Sequence, residues 1–363
     1  MEKSLINSKT GSRSKEVTET SRSTHVTAAA DAQGEAFADP VTAILDVLRK
    51  GERFLVCSHS RPDGDAVGSV LAMGMLIEQM GKRVDMMTAD RVPTIYRGLP
   101  GAENIHHALR VHGPYDAVIL LECDGIERAG LRGLECFFLI NIDHHLTGRP
   151  YAHLNWIDHG AASVGELVLR IVKAAGVTLT SAMATCLYTT LLTDTGGFTY
   201  GTVKESTFAV ATELVRAGAD PIGIAREICY SATMSKVLLL VAALSNLKRE
   251  GRLAWLWVTH QDMVRTCAVE EDCEGIVNVA VGIAGVEVAV FLRELPEKRI
   301  RISLRSKGRV NVASISERLG GGGHGNAAGS TLDGPLARAL DEILNEVRPA
   351  VAEAFPGTIQ ASE

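Results

Sequence analysis

The sequence predicts an α/β fold, in which a doubly wound, mainly parallel sheet is followed by a smaller C-terminal α/β domain. Short apolar segments that resemble strands alternate with segments whose apolar residues recur at helical spacing. Several strand segments are apolar almost throughout, as is typical of parallel strands buried on both faces. Active sites of such sheets lie beyond the carboxyl ends of the strands, so polar residues after each strand are the first functional candidates.

The elements are assigned along the chain from the spacing of the apolar residues. In the first half, strands are predicted at Arg53–Ser58, Arg83–Met87, Tyr115–Leu121 and Phe137–Ile142, and helices at Ala66–Met80 and over residues 162–175. In the second half, a helical stretch from Pro221 to Lys248 precedes strands at Leu253–Thr259, Val286–Leu292 and Arg299–Leu304, a glycine-rich loop at 320–325 and a helix around Leu336–Val347.

These elements divide the 363 residues into five segments. Residues 1–38 are rich in Ser, Thr, Lys and Glu without apolar periodicity, which predicts a disordered tail. We assign residues 39–220 to a catalytic domain, 221–250 to a helical connector, 251–350 to a substrate-binding domain and 351–363 to a second tail. The active site is expected in the cleft between the two domains.

The composition argues against several classes of protein. A net charge of −6 offers no general attraction for long duplex nucleic acid. The longest apolar run, Val237–Leu244, is far short of the roughly 20 residues that a membrane helix needs. Seven cysteines without a CxxC pair are interpreted as small buried apolar residues in a reducing compartment, which predicts a cytoplasmic protein.

The first candidate site residues are His59, Asp63 and Asp65, which follow the first predicted strand within seven residues. A turn through Gly64 can aim both carboxylates at one point, and hard oxygen ligands with one imidazole suit Mn²⁺ or Mg²⁺. A structural alternative stays open, in which Asp65 caps the following helix and Asp63 serves the Pro-Asp-Gly turn.

Two further clusters follow later elements. Asp143, His144 and His145 come directly after the strand that ends at Ile142, and three adjacent metal-competent side chains favour a functional role. Asp194 ends an apolar helix just before two glycines, which is a weak signal by itself.

An acidic residue also follows the strand Tyr115–Leu121. Glu122 continues that strand directly, and Asp124 would lie one pleat further on the same side. The sequence favours Glu122 as the functional acid and leaves Asp124 open.

Six candidate metal ligands are therefore expected at one edge of the sheet: His59, Asp63, Asp65, Glu122, His144 and Asp194. This set predicts two divalent cations roughly 3.5–4 Å apart, most readily Mn²⁺, with Mg²⁺ or Co²⁺ as alternatives. Such cations activate a water nucleophile and neutralise charge on a phosphate, which predicts a two-metal phosphoesterase.

The C-terminal half carries a second candidate site, a run of four glycines that ends in a histidine. Glycines let the backbone approach an anion closely and present N–H groups to it, and an arginine offers a planar fork for phosphate. A flexible turn or a helix cap is the structural alternative. The residues expected to bind substrate are Arg305, Ser306, Gly321, Gly322, Gly323 and His324.

The order and spacing of these segments resemble the DHH superfamily of phosphoesterases. The matching segments are His59 to Asp65, Asp143-His144-His145 and Asp194-Thr195-Gly196, and then Ser303 to Lys307 and Gly320 to Gly329 for the DHH-associated C-terminal domain. The resemblance covers about residues 45–350 and is closest to the bacterial nanoRNase and 3′-phosphoadenosine-5′-phosphate phosphatase group.

The resemblance implies a role for each residue. One cation would be held by His59, Asp63 and Glu122, and the other by Asp65, Glu122 as bridge, His144 and Asp194. His145 would lie near the substrate phosphate, and Asp143 would orient the histidines. The family usually has Asp where this chain has Glu122, which is longer by about 1.5 Å, so the bridge must adjust or Asp124 must contribute.

The expected substrates are dinucleotides and other very short single-stranded RNAs, together with 3′-phosphoadenosine-5′-phosphate. Hydrolysis of cyclic dinucleotides or linear diadenylate is a close alternative. A catalytically silent nucleotide sensor, in which Glu122 spoils the bridge, is an alternative of another class. Small nucleotides are the expected partners, no membrane and no long duplex is expected, and a homodimer is compatible with the sequence.

Overall fold

The computed structural model describes residues 39–199 and 201–356. The tail predicted at 1–38 lies outside these residues. Of the second predicted tail, only residues 357–363 lie outside them, because the last helix continues to Ala354.

The first domain contains a six-stranded sheet in which all neighbouring strands are parallel. Its strands are β1 (Arg53–Ser58), β2 (Arg83–Thr88), β3 (Ile105–His107), β4 (Ala117–Leu121), β5 (Leu139–Asp143) and β6 (Leu154–Ile157). Their spatial order is β3-β2-β1-β4-β5-β6, so the direction of winding reverses between β1 and β4. A reversal of this kind leaves a crevice at the carboxyl ends of the two strands, where ligands bind in such folds.

Helices pack on this sheet because its strands are apolar on both faces. They are α1 (Pro40–Lys50), α2 (Gly64–Gln79), α3 (Val164–Ala175), α4 (Ser181–Asp194) and α5 (Glu205–Arg216). Helix α2 is buried along most of its length and packs against α3, α4 and the sheet. Close approach is possible because glycines face α4: a Cβ at Gly68 would lie 2.5 Å from the carbonyl oxygen of Cys186.

The connector is not the single helical stretch that the sequence predicts. It consists of α6 (Pro221–Cys229) and α7 (Met234–Ser245), with Thr233 capping the second helix. Among the described residues, no single helix is long and apolar enough to span a bilayer, and only α6 and α7 taken together reach that length, with a bend of 60° between them. Leu239 and Ala243 of α7 pack with the second sheet.

The second sheet also has six strands but is mixed. Its elements are β7 (Lys248–Glu250), β8 (Leu253–Val258), α8 (His260–Thr266), α9 (Ile276–Val281), β9 (Val288–Leu295), β10 (Arg299–Ser306), α10 (Val312–Arg318), β11 (Gly322–His324), β12 (Ala327–Asp333) and α11 (Leu336–Ala354). The order is β11-β12-β10-β9-β8-β7, and only β8 and β9 run parallel. Helices α10 and α11 cover one face, and α7 to α9 cover part of the other.

The predicted fold class is confirmed. The short strands β3, β6 and β7 and the strand β12 were not predicted, and β11 lies where a glycine-rich loop was expected. Burial of the cysteines is confirmed for Cys57, Cys123 and Cys186, whereas Cys136, Cys229 and Cys267 are exposed and Cys273 is half-buried.

Candidate metal and phosphate site

Polar side chains from several connections meet at the carboxyl edge of the first sheet. Strands β1, β4 and β5 end there, α2 begins there with Asp63 as its N-cap, and α4 ends there at Asp194. The convergence follows from the parallel order of the three adjacent strands, whose carboxyl ends lie side by side.

Four predicted ligands form one compact group: Asp65, Glu122, His144 and Asp194. One donor atom from each lies within 4.8 Å of all the others. Nε2 of His144 is 3.3 Å from an oxygen of Glu122, 3.3 Å from an oxygen of Asp194 and 3.8 Å from an oxygen of Asp65. Three carboxylates and an imidazole are ligand types that suit Mn²⁺ or Mg²⁺.

The backbone orients this group. The N–H groups of Val164 and Gly165, in the first turn of α3, donate to the carboxylate of Asp65 over 2.7 and 3.1 Å. Nδ1 of His144 is held by the carbonyl oxygen of Ala161 at 3.2 Å, so Nε2 faces the carboxylates.

Nε2 of His144 and Oε2 of Glu122 are buried 3.3 Å from each other, and neither has a hydrogen bond of good geometry. Buried polar atoms are rarely left unpaired, and a shared cation is a partner that suits both. The donor set and these two atoms therefore fit a divalent cation.

Glu122, and not Asp124, reaches this group. Glu122 adopts a left-handed backbone conformation with φ of 58° immediately after β4. Such a conformation is uncommon for a residue with a Cβ, and it interrupts the alternation of side chains directly after β4. Asp124 instead accepts hydrogen bonds from Arg128 at 3.1 Å and Thr147 at 2.8 Å.

His59 and Asp63 form a separate pair beside the group. Nε2 of His59 is 3.9 Å from Oδ1 of Asp63, and its Nδ1 is 2.8 Å from the carbonyl oxygen of Ser60. Asp63 also caps α2 by accepting from the N–H of Ala66 at 3.0 Å, so the capping role that the sequence offered to Asp65 belongs to Asp63. Their shared cation with Glu122 stays a prediction.

A second compact group contains Glu122, His144, His145 and His324. His145 contacts Asp143 through Nδ1 at 2.7 Å and approaches Glu122 through Nε2 at 3.4 Å. The His324 ring, from the second domain, stacks on His145 with ring centroids 4.2 Å apart. This stacking brings the glycine-rich segment of the second domain against the candidate metal ligands of the first.

Burial and charge shift the pKa values in these groups. Burial raises the pKa of Glu122 to about 8 and the pKa of Asp194 to about 7, although His144 opposes both shifts. Burial opposes protonation of His145, yet Glu122 and Asp143 raise its pKa to about 10. Burial, together with the neighbouring histidines, lowers the pKa of His324 well below its usual value. At neutral pH the groups therefore hold protons that a cation has to displace.

A cavity of about 310 Å³ is lined by residues of both domains, and its volume is within the size range of small-molecule sites. The predicted substrate residues Arg305 and Ser306 form part of its wall, and the buried Nε of Arg305 has no hydrogen-bond partner. The lining residues are Gly196, Thr199, Asn278, Val281, Arg305, Ser306 and Asn326.

Sequence reasoning did not identify Asn278, Val281 or Asn326 as cavity residues. Asn326 lies two residues beyond His324, so its closeness to a predicted substrate residue could have identified it. Asn278 and Val281 belong to the six-residue helix α9, which has no chemical signature in the sequence.

The glycine-rich segment forms an edge strand and not the predicted loop. Strand β11 pairs with β12 and is the last strand of its sheet. A Cβ at Gly321 would collide with the carbonyl oxygen of Gly329, and one at Gly323, where φ is 137°, would lie 2.5 Å from the carbonyl oxygen of Ala327. Glycine is therefore required at both positions for the strand to pack.

Comparison with known proteins agrees with this geometry. The profile of the DHH family, N-terminal domain, matches residues 53–191, and that of the DHHA1 domain matches residues 264–353. The chain is 32% identical over 319 residues to the bifunctional oligoribonuclease and PAP phosphatase NrnA of Thermus thermophilus, which covers 86% of this chain and 94% of that protein.

Two more distant similarities are informative. The chain is 25% identical over 332 residues to the cyclic-di-AMP phosphodiesterase PdeA of Listeria monocytogenes, covering 84% of this chain and 49% of that protein. The crystal structure of an exopolyphosphatase-related protein from Bacteroides fragilis superimposes with a TM-score of 0.79 at 25% identity, covering 87% of this chain and 97% of that chain.

Proposed function

This chain belongs to the DHH family of phosphoesterases, and we propose that it hydrolyses dinucleotides and very short single-stranded oligoribonucleotides, with 3′-phosphoadenosine-5′-phosphate as a second substrate. The NrnA relative, similar over nearly its whole length, supports these substrates over cyclic dinucleotides, because the cyclic-di-AMP phosphodiesterase matches over only 49% of its length. Seven free thiols suit a reducing compartment, and we include a cytoplasmic location in the proposal.

One observation carries the proposal: three acidic side chains and an imidazole converge within 4.8 Å while two of their buried atoms lack hydrogen bonds. Purely structural clusters of like charge are destabilising unless each member is paired. A site that holds cations and phosphate oxygens removes this cost.

Two ions, most suitably Mn²⁺, are part of the proposal. Asp65, Glu122, His144 and Asp194 would hold one, and His59 and Asp63 would share the other with Glu122. Cations in such sites lower the pKa of a water and neutralise charge on the phosphate that it attacks.

Cation affinity is expected to increase with pH between about 6 and 8. The pKa of Glu122 is raised to about 8 and that of Asp194 to about 7, so below these values each carboxyl holds a proton that the cation must displace. The dissociation constant of Mn²⁺ should fall about tenfold per pH unit for each displaced proton. Calorimetric titrations at about pH 6, 7 and 8, in buffers of different ionisation heat, measure the dissociation constant of Mn²⁺ and the number of protons that it displaces. Equal affinity at all three values would contradict the assignment, and Asp333→Asn, on the surface, is the control.

The chain's own residues bind and orient the substrate around this centre. Nε2 of His145 lies 3.4 Å from Glu122, beside the proposed cations, and can donate to a phosphate oxygen held there. Asp143 holds the other ring nitrogen and fixes the ring orientation. Arg305 forms part of the cavity wall, and its guanidinium can hold a terminal phosphate there.

The contacts between the domains favour small substrates. His324 stacks on His145, and the N–H of Thr94 donates to Glu271 at 2.8 Å, so the two domains touch on either side of the site. A short oligonucleotide can end in the cavity of about 310 Å³, whereas a long strand would need an open groove.

The proposal is tested with purified protein and Mn²⁺ on a set of substrates assayed side by side. The set contains a dinucleotide, RNAs of about five and about 24 residues, 3′-phosphoadenosine-5′-phosphate, cyclic and linear diadenylate, and pyrophosphate. The two RNA lengths separate short from long substrates. We expect the dinucleotide to be cleaved with the highest kcat/KM and the long RNA with the lowest. Preferred cleavage of cyclic diadenylate would favour the alternative substrate class, and nucleotide binding without any turnover would favour the sensor.

A further inference from the structure

Four arginines from the two domains lie close to one another. Arg293 and Arg301 lie directly opposite each other on β9 and β10. Arg61 follows β1 and Arg128 follows β4 in the first domain. Guanidinium nitrogens of Arg61 and Arg293 both approach one oxygen of Glu270, at 4.0 and 2.6 Å. We call these four residues the arginine cluster.

The positive charge of the arginine cluster exceeds the negative charge beside it. Glu270 forms ion pairs with both Arg61 and Arg293, and Asp124 forms an ion pair with Arg128 at 3.1 Å. Among the residues that the structure describes, Arg301 forms no ion pair, and its side-chain hydrogen bond is to the hydroxyl of Thr331 at 3.3 Å. Like charges opposite each other on adjacent strands are destabilising, so this arrangement favours binding of an anion.

Burial of Arg301 strengthens the argument. Burial, and then the neighbouring guanidinium of Arg61, lower the pKa of Arg301 to about 10. The side chain of Arg301 is half-buried, and a half-buried cation surrounded by other cations is stabilised by an anion that contacts several of them at once. Glu270 cannot fill this role alone, because its side chain is 60% exposed and an exposed ion pair contributes little.

One face of β10 connects the arginine cluster with the cavity. Arg301, Ser303 and Arg305 lie on the same face of this strand, and the guanidinium of Arg301 lies over Gly329 of β12, the residue opposite Ser303, where an added Cβ would be 3.2 Å from one of its nitrogens. Four residues of extended strand cover about 13 Å. Arg301 and Arg305 are therefore positioned for different phosphates of one chain.

We propose that the arginine cluster binds the second phosphate of the substrate, the phosphodiester next to the one that is cleaved. The inference rests on the proposed function, because it takes the phosphate at Asp65, Glu122, His144 and Asp194 as the first. The dinucleotide ApA has one phosphate, which must lie at the metal ligands to be cleaved. The trinucleotide ApApA has a second phosphate that can reach the arginine cluster.

The test compares kcat/KM for ApApA with kcat/KM for ApA in the same Mn²⁺ buffer. Arg301→Gln is expected to lower the ratio of the two about tenfold, the loss of one charge-assisted contact. Arg301→Lys should restore most of the ratio because it keeps the charge. Arg318→Gln, which removes an exposed arginine paired with Glu346 on the far side of α10, is the matched control and should leave the ratio unchanged.

A variant that is expected to raise the ratio of kcat/KM values separates an effect on binding from a folding defect. Glu270→Gln removes the carboxylate that competes for Arg61 and Arg293, so the ratio should rise severalfold. Equal losses on ApA and ApApA in Arg301→Gln would overturn the proposal, since they would make Arg301 a structural residue. A fall of the ratio in Glu270→Gln would also overturn it.

Binding without turnover distinguishes a failure of this inference from a failure of the proposed function. Calorimetry with ApA and ApApA in EDTA measures affinity when no cation is present to support hydrolysis. ApApA should bind more tightly than ApA to the unmodified chain, and Arg301→Gln should remove the difference, even if neither compound is ever cleaved. Equal affinities of the unmodified chain for both compounds would overturn the role of the arginine cluster while leaving the hydrolytic function standing.

Discussion

Glu122→Gln is expected to lower kcat on a dinucleotide about 10³-fold, the loss typical of removing one group that stabilises charge in a reaction. Glu122 belongs to both compact groups of candidate ligands, and its Oε2 is buried without a hydrogen-bond partner. The amide keeps the volume of the side chain and removes its charge, so a cation loses a ligand while the packing is retained. The measurement is steady-state kinetics with Mn²⁺, together with a melting curve of each variant.

A shorter acid at the same position tests the length of the bridge. Glu122→Asp keeps the charge but withdraws the carboxylate by about 1.5 Å, and misplacement on this scale is expected to cost about 10²-fold in kcat. Glu103→Gln, at an exposed position of the same domain, is the control and should match the unmodified chain. If Glu122→Gln retained near-normal kcat, Glu122 would not be a ligand, and the two-cation proposal would need another bridging group.

The first sheet was predictable from sequence because its central strands are buried on both faces. Ala117–Leu121 is apolar throughout, and Leu139–Asp143 is apolar at Leu139, Ile140 and Ile142, a pattern that depends on few long-range contacts. The three-residue strand Ile105–His107 is half-exposed to exposed and pairs only with β2, so its sequence carries no such pattern. Two of the three residues of β11 are glycine, which has a low strand propensity. The segment is a strand because it pairs with β12, and this pairing cannot be predicted from strand propensity.

The candidate metal ligands were predictable for a related reason. His59, Glu122 and His144 each follow a buried strand directly, and parallel strand ends lie side by side. The sequence favoured Glu122 over Asp124 because Glu122 continues its strand directly, but the left-handed backbone conformation of Glu122 was not predictable. The arginine cluster was not predictable either, because it requires the register of β9 against β10 and the docking of the two domains.

Gly323→Ala is expected to lower kcat/KM about 10²-fold, the size of effect that a misplacement of about 1 Å produces. Gly323 has a φ of 137°, and an added Cβ would lie 2.5 Å from the carbonyl oxygen of Ala327. Backbone must shift to relieve this contact, and the next residue is His324, whose ring stacks on His145 at 4.2 Å.

The loss should appear in turnover and substrate binding, with little change in Mn²⁺ affinity, because the ligands of the first domain do not depend on β11 for their orientation. His144 and Asp65 are held instead by Ala161 and by the first turn of α3. Gly98→Ala is the matched control, since a Cβ there meets no atom within 4 Å and the backbone is not left-handed. Normal kcat/KM in Gly323→Ala would show that the position of His324 against His145 has no part in catalysis, whereas a parallel loss of Mn²⁺ affinity would mean that the glycine strand itself supports the metal ligands.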